Sequence, residues 1–310
     1  MKAISLAITS LILLTGCASP SNESAGIVVS SQNYANIANS LMGDNPDAQF
    51  DVHVLLSSDA IDPHEFEPSA KDKLAISQAE AVFYAGTDFD AFVDPLLDSV
   101  NFDPDFVINS SYFVREKLAS CATELCLEKG SNPHLWFDLD TISSSAKALT
   151  DLYIKLRPEH KQDYEKAEST FQSQIKALKA KQDSVAERLT SDITFFAPEA
   201  IANVLLLELG IKSISSKTIA NKIANEVELS ILEMKEIEEL LKSRAVKVFA
   251  ANQQVESQQA QQLLDIAQSV STPVIYFSES SLCVNKSDKF LECFDKKIEE
   301  VIEKLGLKLD

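Results

Sequence analysis

Glycine is scarce, with 7 in 310 residues, and no GxGxxG, GxxxxGKS or GxxxxGKT occurs. The chain therefore lacks the glycine-rich loops that bring backbone N–H groups against a nucleotide phosphate. Positive charge is also short: 28 Lys and Arg stand against 47 Asp and Glu, a net charge of −19. Nucleic acids bind to basic patches, so a nucleic-acid partner is excluded. There are four histidines, His53, His64, His134 and His160, and no HExxH places two of them on one helix face as zinc hydrolases do. The most sustained apolar run, Ala3 to Leu14, is too short to cross a bilayer. No internal repeat or low-complexity block is evident, and the glutamine-rich patch 253–262 reads as a helix surface.

What is there begins with a leader. Lys2 precedes the apolar run, and Leu14-Thr15-Gly16-Cys17 closes it. Residues 1–16 read as a signal peptide. The small residues before Cys17 resemble a lipobox, which makes Cys17 the expected acylated N-terminus. Residues 17–26, rich in Ser, Pro and Asn, suit a flexible tether. Loss of residues 1–16 removes one charge, Lys2, and takes the net charge to −20 (27 cations against 47 acids). The expected location is outside the cytoplasm, on the periplasmic side or the cell surface. In such a compartment the four remaining cysteines, Cys121, Cys126, Cys283 and Cys293, pair as disulfides. Of three connectivities the local pairs Cys121–Cys126 and Cys283–Cys293 are favoured, since each lies in a polar, loop-like stretch. Neither spacing is CxxC and no histidine is adjacent, which speaks against a cysteine metal site.

Along the chain, apolar strand-like runs alternate with helical spacing. Ile27 to Ser30, Val52 to Leu56, Ala81 to Tyr84 and Phe106 to Asn109 read as strands. Asn33 to Leu41, a segment capped by Ser69 with Asp72, and Phe89 to Leu97 read as the helices between them. Thr141 to Leu156 is helical, and Pro158 opens a helix of about 30 residues, roughly 45 Å long. Its stripe is Tyr164, Ala167, Phe171, Ile175, Leu178, Val185 and Leu189. A second alternation follows: strands Ile193 to Ala197, Val246 to Ala250 and Pro273 to Phe277, with helices Ala200 to Leu209, Glu228 to Leu241, Gln258 to Gln268 and Phe290 to Leu305. The pattern predicts an α/β fold of two lobes, each a mostly parallel sheet flanked by helices. Residues 27–156 form the first lobe, 157–190 one long rigid joining helix, and 191–310 the second lobe.

Two histidines directly follow proline, in Asp62-Pro63-His64-Glu65-Phe66-Glu67-Pro68 and in Asn132-Pro133-His134-Leu135-Trp136. Proline stiffens each turn, so an imidazole is presented with little ordering cost. His64, Glu199 and Glu279 each lie just past a predicted strand, the edge at which open α/β sheets bind ligands. His134 precedes a helix. Two imidazoles and two carboxylates, drawn from both lobes, make a set suited to Zn²⁺, Mn²⁺ or Fe²⁺. His53 in a strand and His160 at a helix start read as structural or surface residues.

These two proline–histidine motifs resemble those of the metal-binding lipoproteins of bacterial zinc and manganese ABC importers. The likeness also takes in Tyr84 to Phe92, Arg157-Pro158 and Val246 to Asn252. It implies one divalent ion, Zn²⁺ or Mn²⁺, held between the lobes by His64, His134, Glu199 and Glu279. Ser278 is the alternative to Glu279 if the register shifts by one. It implies that Asn225-Glu226 and Asn252-Gln253 line the site, with Asn225 and Asn252 orienting the ligands. It further implies an ABC permease as partner, a monomeric protein, a membrane anchor at Cys17, and delivery without catalysis. The histidine-rich loop of many zinc members is missing between residues 113 and 131. The rival readings are a metal-dependent hydrolase, with Glu65 or Glu67 as base, and a surface adhesin whose site is vestigial.

Overall fold

Every residue of β1 (Ile27–Ser31) is buried, as a strand with a neighbour on each side and helices on both faces must be. The computed structural model describes residues 26–58, 63, 66–114, 132–189, 192–225, 227–254, 257–285 and 287–307. In it β1 is joined by β2 (Val52–Leu56), β3 (Ala81–Tyr84) and β4 (Val107–Asn109). All pairs are parallel, in the order β2-β1-β3-β4.

Helix α1 (Gln32–Leu41) leaves β1 without a loop. Helix α2 (Ala70–Gln78) has the expected capping box, with Ser69 and Asp72 each satisfying the other's backbone N–H. The helix expected over 89–97 is divided into a 3₁₀ turn, Asp88–Asp90, and α3 (Val93–Val100). Pro95 explains the break: it has no N–H to donate, and a helix restarting at Val93 keeps it in the first turn, where none is needed. Asp138 caps α4 (Leu139–Leu156) by accepting from the N–H groups of Asp140 and Thr141.

The long helix, α5 (Lys161–Arg188), begins after a 3₁₀ turn at Pro158–His160 and runs for 28 residues. Its buried stripe holds Tyr164, Phe171, Ile175, Leu178 and Val185 of the predicted one, with Gln182 added; Ala167 is only half-buried, and Leu189 is half-buried beyond the helix end. The helix packs on α1 and α4 of the first lobe. In the second lobe it packs on α6 (Asn203–Glu208) and the last helix, α10 (Phe290–Lys304).

The second sheet repeats the first. Strands β5 (Thr194–Phe196), β6 (Lys212–Ser213), β7 (Val248–Asn252) and β8 (Val274–Phe277) are parallel, in the order β6-β5-β7-β8. The segment from Lys212 to Ala224 departs from the sequence reading, which assigned it no element. It holds β6 and helix α7 (Lys217–Ala224), started by Ser216 accepting the Ile219 N–H. Only Ile219 of that helix is buried, so no apolar period marks it. Helices α8 (Ile231–Lys242) and α9 (Gln258–Ser269) flank the sheet. Helix α10 is tied at its start by the Cys283–Cys293 disulfide, with Cα atoms 5.2 Å apart. Cys17, Cys121 and Cys126 lie outside the described residues.

One apolar cluster runs through both lobes, from Ile27 and Phe83 to Phe277 and Phe294. Phe137, just before α4, joins them: its ring lies 5.8 Å from that of Phe277 and 6.2 Å from that of Phe294.

Candidate metal centre

In a parallel sheet all strands end on one edge, and the chain leaves β5, β7 and β8 there with Glu199, Asn252 and Glu279. His134 reaches the same place from the loop before α4. One ligand atom from each of His134, Glu199 and Glu279 can be chosen so that all lie within 4.8 Å of one another.

His134 is held from several sides. The Thr87 hydroxyl donates to the carbonyl of Pro133 at 3.1 Å. Thr87 follows Gly86, whose φ is +74° and where a Cβ would overlap the Asn109 amide. The buried Asp90 carboxylate accepts the N–H groups of Ala85 (2.7 Å) and Gly86 (2.8 Å). Burial pushes its carboxyl up to about 6 despite these bonds. The His134 ring meets Trp136 edge-on at 5.3 Å, and Trp136 in turn packs on Phe89 at 4.8 Å.

Asn132 sets the tautomer. Its Oδ1 accepts the His134 backbone N–H at 2.9 Å, and its Nδ2 donates to the Ala200 carbonyl at 3.0 Å. Those two backbone partners leave the amide one orientation. Oδ1 then faces His134 Nδ1 at 3.0 Å, so Nδ1 carries a hydrogen and the neutral ring keeps its lone pair at Nε2. Nε2 lies 3.1 Å from Oε1 of Glu279 and 4.0 Å from Oε1 of Glu199.

Glu199 precedes a 3₁₀ turn, Ala200–Ala202, where the sequence predicted an unbroken helix. Its Oε2 accepts from Asn252 Nδ2 at 2.7 Å. Burial holds its carboxyl well above the ordinary carboxylate range, and the hydrogen bond and charge of Glu279 add to this; His134 and Asn252 offset only part. Glu279 is 1% exposed. Its N–H donates to Gln254 Oε1 at 3.0 Å, and its carbonyl accepts from Asn33 Nδ2 at 3.1 Å. Gln254 also donates to the hydroxyls of Ser278 (2.9 Å) and Ser280 (3.0 Å). This network turns Ser278 aside and leaves Glu279 facing His134. Three electron-pair donors thus converge, a geometry that repels itself unless a proton or metal cation lies between them.

His64 and Glu65 lie outside the described residues, as does Glu226. Next to His64, Pro63 is buried, and Phe66 packs on Phe92 at 4.7 Å. Asn225 is a correction. It is exposed, and its amide donates to Asn221 of its own helix at 2.7 Å instead of turning to the cluster. Gln253 is likewise exposed, and its neighbour Gln254 does the orienting. His53 pairs with Val28 inside the sheet, and His160 sits beside Asp163 at 3.6 Å. The supports that sequence reading missed as site residues are Asn33, Asn132 and Gln254. Asn132 stood in a motif that pointed to it; for the other two no local signal exists.

Known proteins share this fold. The iron ABC transporter substrate-binding lipoprotein MtsA of Streptococcus pyogenes serotype M1 is 26% identical over 198 residues, 60% of this chain and 62% of MtsA. The manganese ABC transporter substrate-binding lipoprotein PsaA of Streptococcus anginosus is 29% identical over 164 residues, 51% of this chain and 52% of PsaA. The aligned region therefore spans less than two thirds of these relatives. The laminin-binding protein Lmb of Streptococcus agalactiae, described as a bifunctional adhesin and metal transporter, shares the fold with a TM-score of 0.68. That alignment covers 90% of this chain and 98% of Lmb at 22% identity. Residues 27–303 match the family described as zinc-uptake complex component A, periplasmic, and the chain belongs to that family, ZnuA.

Proposed function

We propose that the protein captures one divalent transition-metal ion, Zn²⁺ or Mn²⁺ with Fe²⁺ as the third candidate, and delivers it to an ABC permease. The observation that carries this reading is the convergence of His134, Glu199 and Glu279 from two lobes onto one point. His64, which directly follows Pro63 in the sequence, is the fourth ligand of this reading. Two carboxylates neutralise a divalent cation, and two imidazoles supply the borderline nitrogen donors that these metals accept. Around a tetrahedral Zn²⁺, four protein ligands leave no open position for an activated water, which favours binding over hydrolysis for that ion. Protons and the ion compete for the same ligand atoms, so capture weakens as pH falls. The domain plan of two lobes about the helix 157–190 fits a single ion clasped at their junction. The protein acts as a monomer, anchored outside the cytoplasm through lipid on Cys17. The aligned relatives are named for iron and manganese, and the matched family for zinc, so sequence likeness does not choose the cargo.

The test is elemental analysis of protein purified without affinity metals, then stripped with chelator and offered Zn²⁺, Mn²⁺ and Fe²⁺ in competition. One equivalent is expected, lost in His64→Ala and Glu199→Gln. A stripped protein that takes up none of the three overturns the reading.

A further inference from the structure

Resting on the capture reading above, we propose that Asn33 and Asn132 form a pair of positioning residues that set how long a captured ion stays. Each stands in the first lobe, and each holds the main chain that carries one carboxylate of the second. Asn33 is fully buried at the start of α1. Its Nδ2 donates to the carbonyl of Glu279 at 3.1 Å, and its Oδ1 accepts the Leu282 N–H at 2.7 Å. Asn132 is 1% exposed. Its Nδ2 donates to the carbonyl of Ala200, the residue after Glu199, while its Oδ1 holds His134.

The two clasps share one chemistry. A primary amide offers both a donor and an acceptor, and here both ends are used. Each reaches a backbone group, not the carboxylate itself, so its bonds do not compete with the ion for ligand oxygens. Each starts from a stiff place: Asn33 at the join of β1 and α1, Asn132 on a proline turn. A carboxylate ligand works only when held within about 0.5 Å of its productive position. Two carboxylates brought this close tend to push their loops apart until a cation lies between them. Without the clasps their loops would drift apart between encounters and during binding. Among variants of one binding site most of an affinity change falls in the release rate, so loss of the clasps speeds release much more than it slows capture.

Stopped-flow release of Zn²⁺ and of Mn²⁺ into excess chelator tests this, using Asn33→Ser and Asn132→Ser. Serine is polar but too short to span either gap, and it spares the fold an apolar intruder. Release is expected to quicken roughly ten-fold or more in each, within the range seen when groups behind metal ligands are removed. Association should change little, and core amides such as that of Ile275 should keep their hydrogen-exchange protection. If both variants release at the unaltered rate while the parent protein binds one ion, the clasp proposal falls and capture stands. If the parent protein binds no ion, both fall. A second readout needs no variant: the Leu282 amide should resist hydrogen exchange with and without metal. Free exchange there, in protein whose core amides are protected, overturns the Asn33 clasp.

Discussion

The two lobes share a strand order and differ in what they can hold still. The first has strands of five, five, four and three residues, with Trp136, Tyr34, Phe83 and Phe89 fully buried about them. It supplies His134 and both asparagine clasps. The second has strands of three, two, five and four residues and a helix broken after Glu199. It supplies the carboxylates. Like charges must be brought together to bind a cation, and the lobe that carries them does not restrain them alone. The first lobe, through Asn33 and Asn132, reaches across and does part of it. The lesson is that ligand identity and ligand restraint need not reside in the same half of a site.

The sharpest way to break this division is to remove a ligand. At a metal concentration a hundred times the dissociation constant, binding adds about 2.7 kcal/mol to stability. His134→Ala and Glu279→Ala should each lose nearly all of that gain, measured as a metal-induced rise in Tm.

The next effect probes the order of the first lobe through pH. Burial raises Asp90 in the fold to about 6, so its contribution to stability is fully present below the pKa of an unfolded aspartate. That contribution is lost as pH rises through 6. Lifting an aspartate from its ordinary value to about 6 corresponds to a loss of about 3 kcal/mol. Urea unfolding of the metal-free protein from pH 4 to 7 should show this decline. Asp90→Asn should flatten it, whatever that variant's absolute stability. Glu199, raised in the same sense, adds to the trend only while no metal replaces its proton.

A glycine in each lobe sharpens the comparison further. Gly86→Ala meets both a φ of +74° and the Asn109 amide, and should cost about 2–3 kcal/mol while loosening the loop that steadies His134. Gly306→Ala has a φ of +63° but open space around it, and should cost about 1 kcal/mol. Chemical denaturation of the pair measures the difference.

The smallest effect concerns a restraint native to the second lobe. Asn252→Ala removes the donor at Glu199 Oε2 and should weaken binding several-fold, ten-fold at most. If instead it matched the loss in the ligand variants, the second lobe would be restraining its own carboxylate, and the contrast drawn between the lobes would fail. Competition titration against a chelator of known affinity reads it.

Much of this was legible from the residues. Buried parallel strands are continuous apolar runs, so Ala81–Tyr84 could be bounded to the residue. The stripe on α5 was written in its spacing. Proline beside histidine and glutamate after a strand pointed to the cluster, and polar loops to the Cys283–Cys293 pair. Helix α7 was hidden because a surface helix with one buried residue has no period to read. Asn33 was hidden for another reason: its partners lie 246 and 249 residues away, and nothing near it in sequence hints at them. Asn225 was carried over from a family likeness and proved to face solvent, where a matching position lost its matching environment.

The core that passes unbroken beneath the site has a consequence for selectivity. Swinging the lobes wide would pull Phe137 from Phe277 and Phe294. Each aromatic side chain so exposed costs about 1.5–3 kcal/mol. On the proposed reading the molecule would act as a chelator of nearly fixed bite, not as a trap that snaps shut. A fixed bite chooses among ions by radius and coordination number at the moment of entry. The same stiffness would make letting go uphill, and on that reading the work of unloading would fall to the permease.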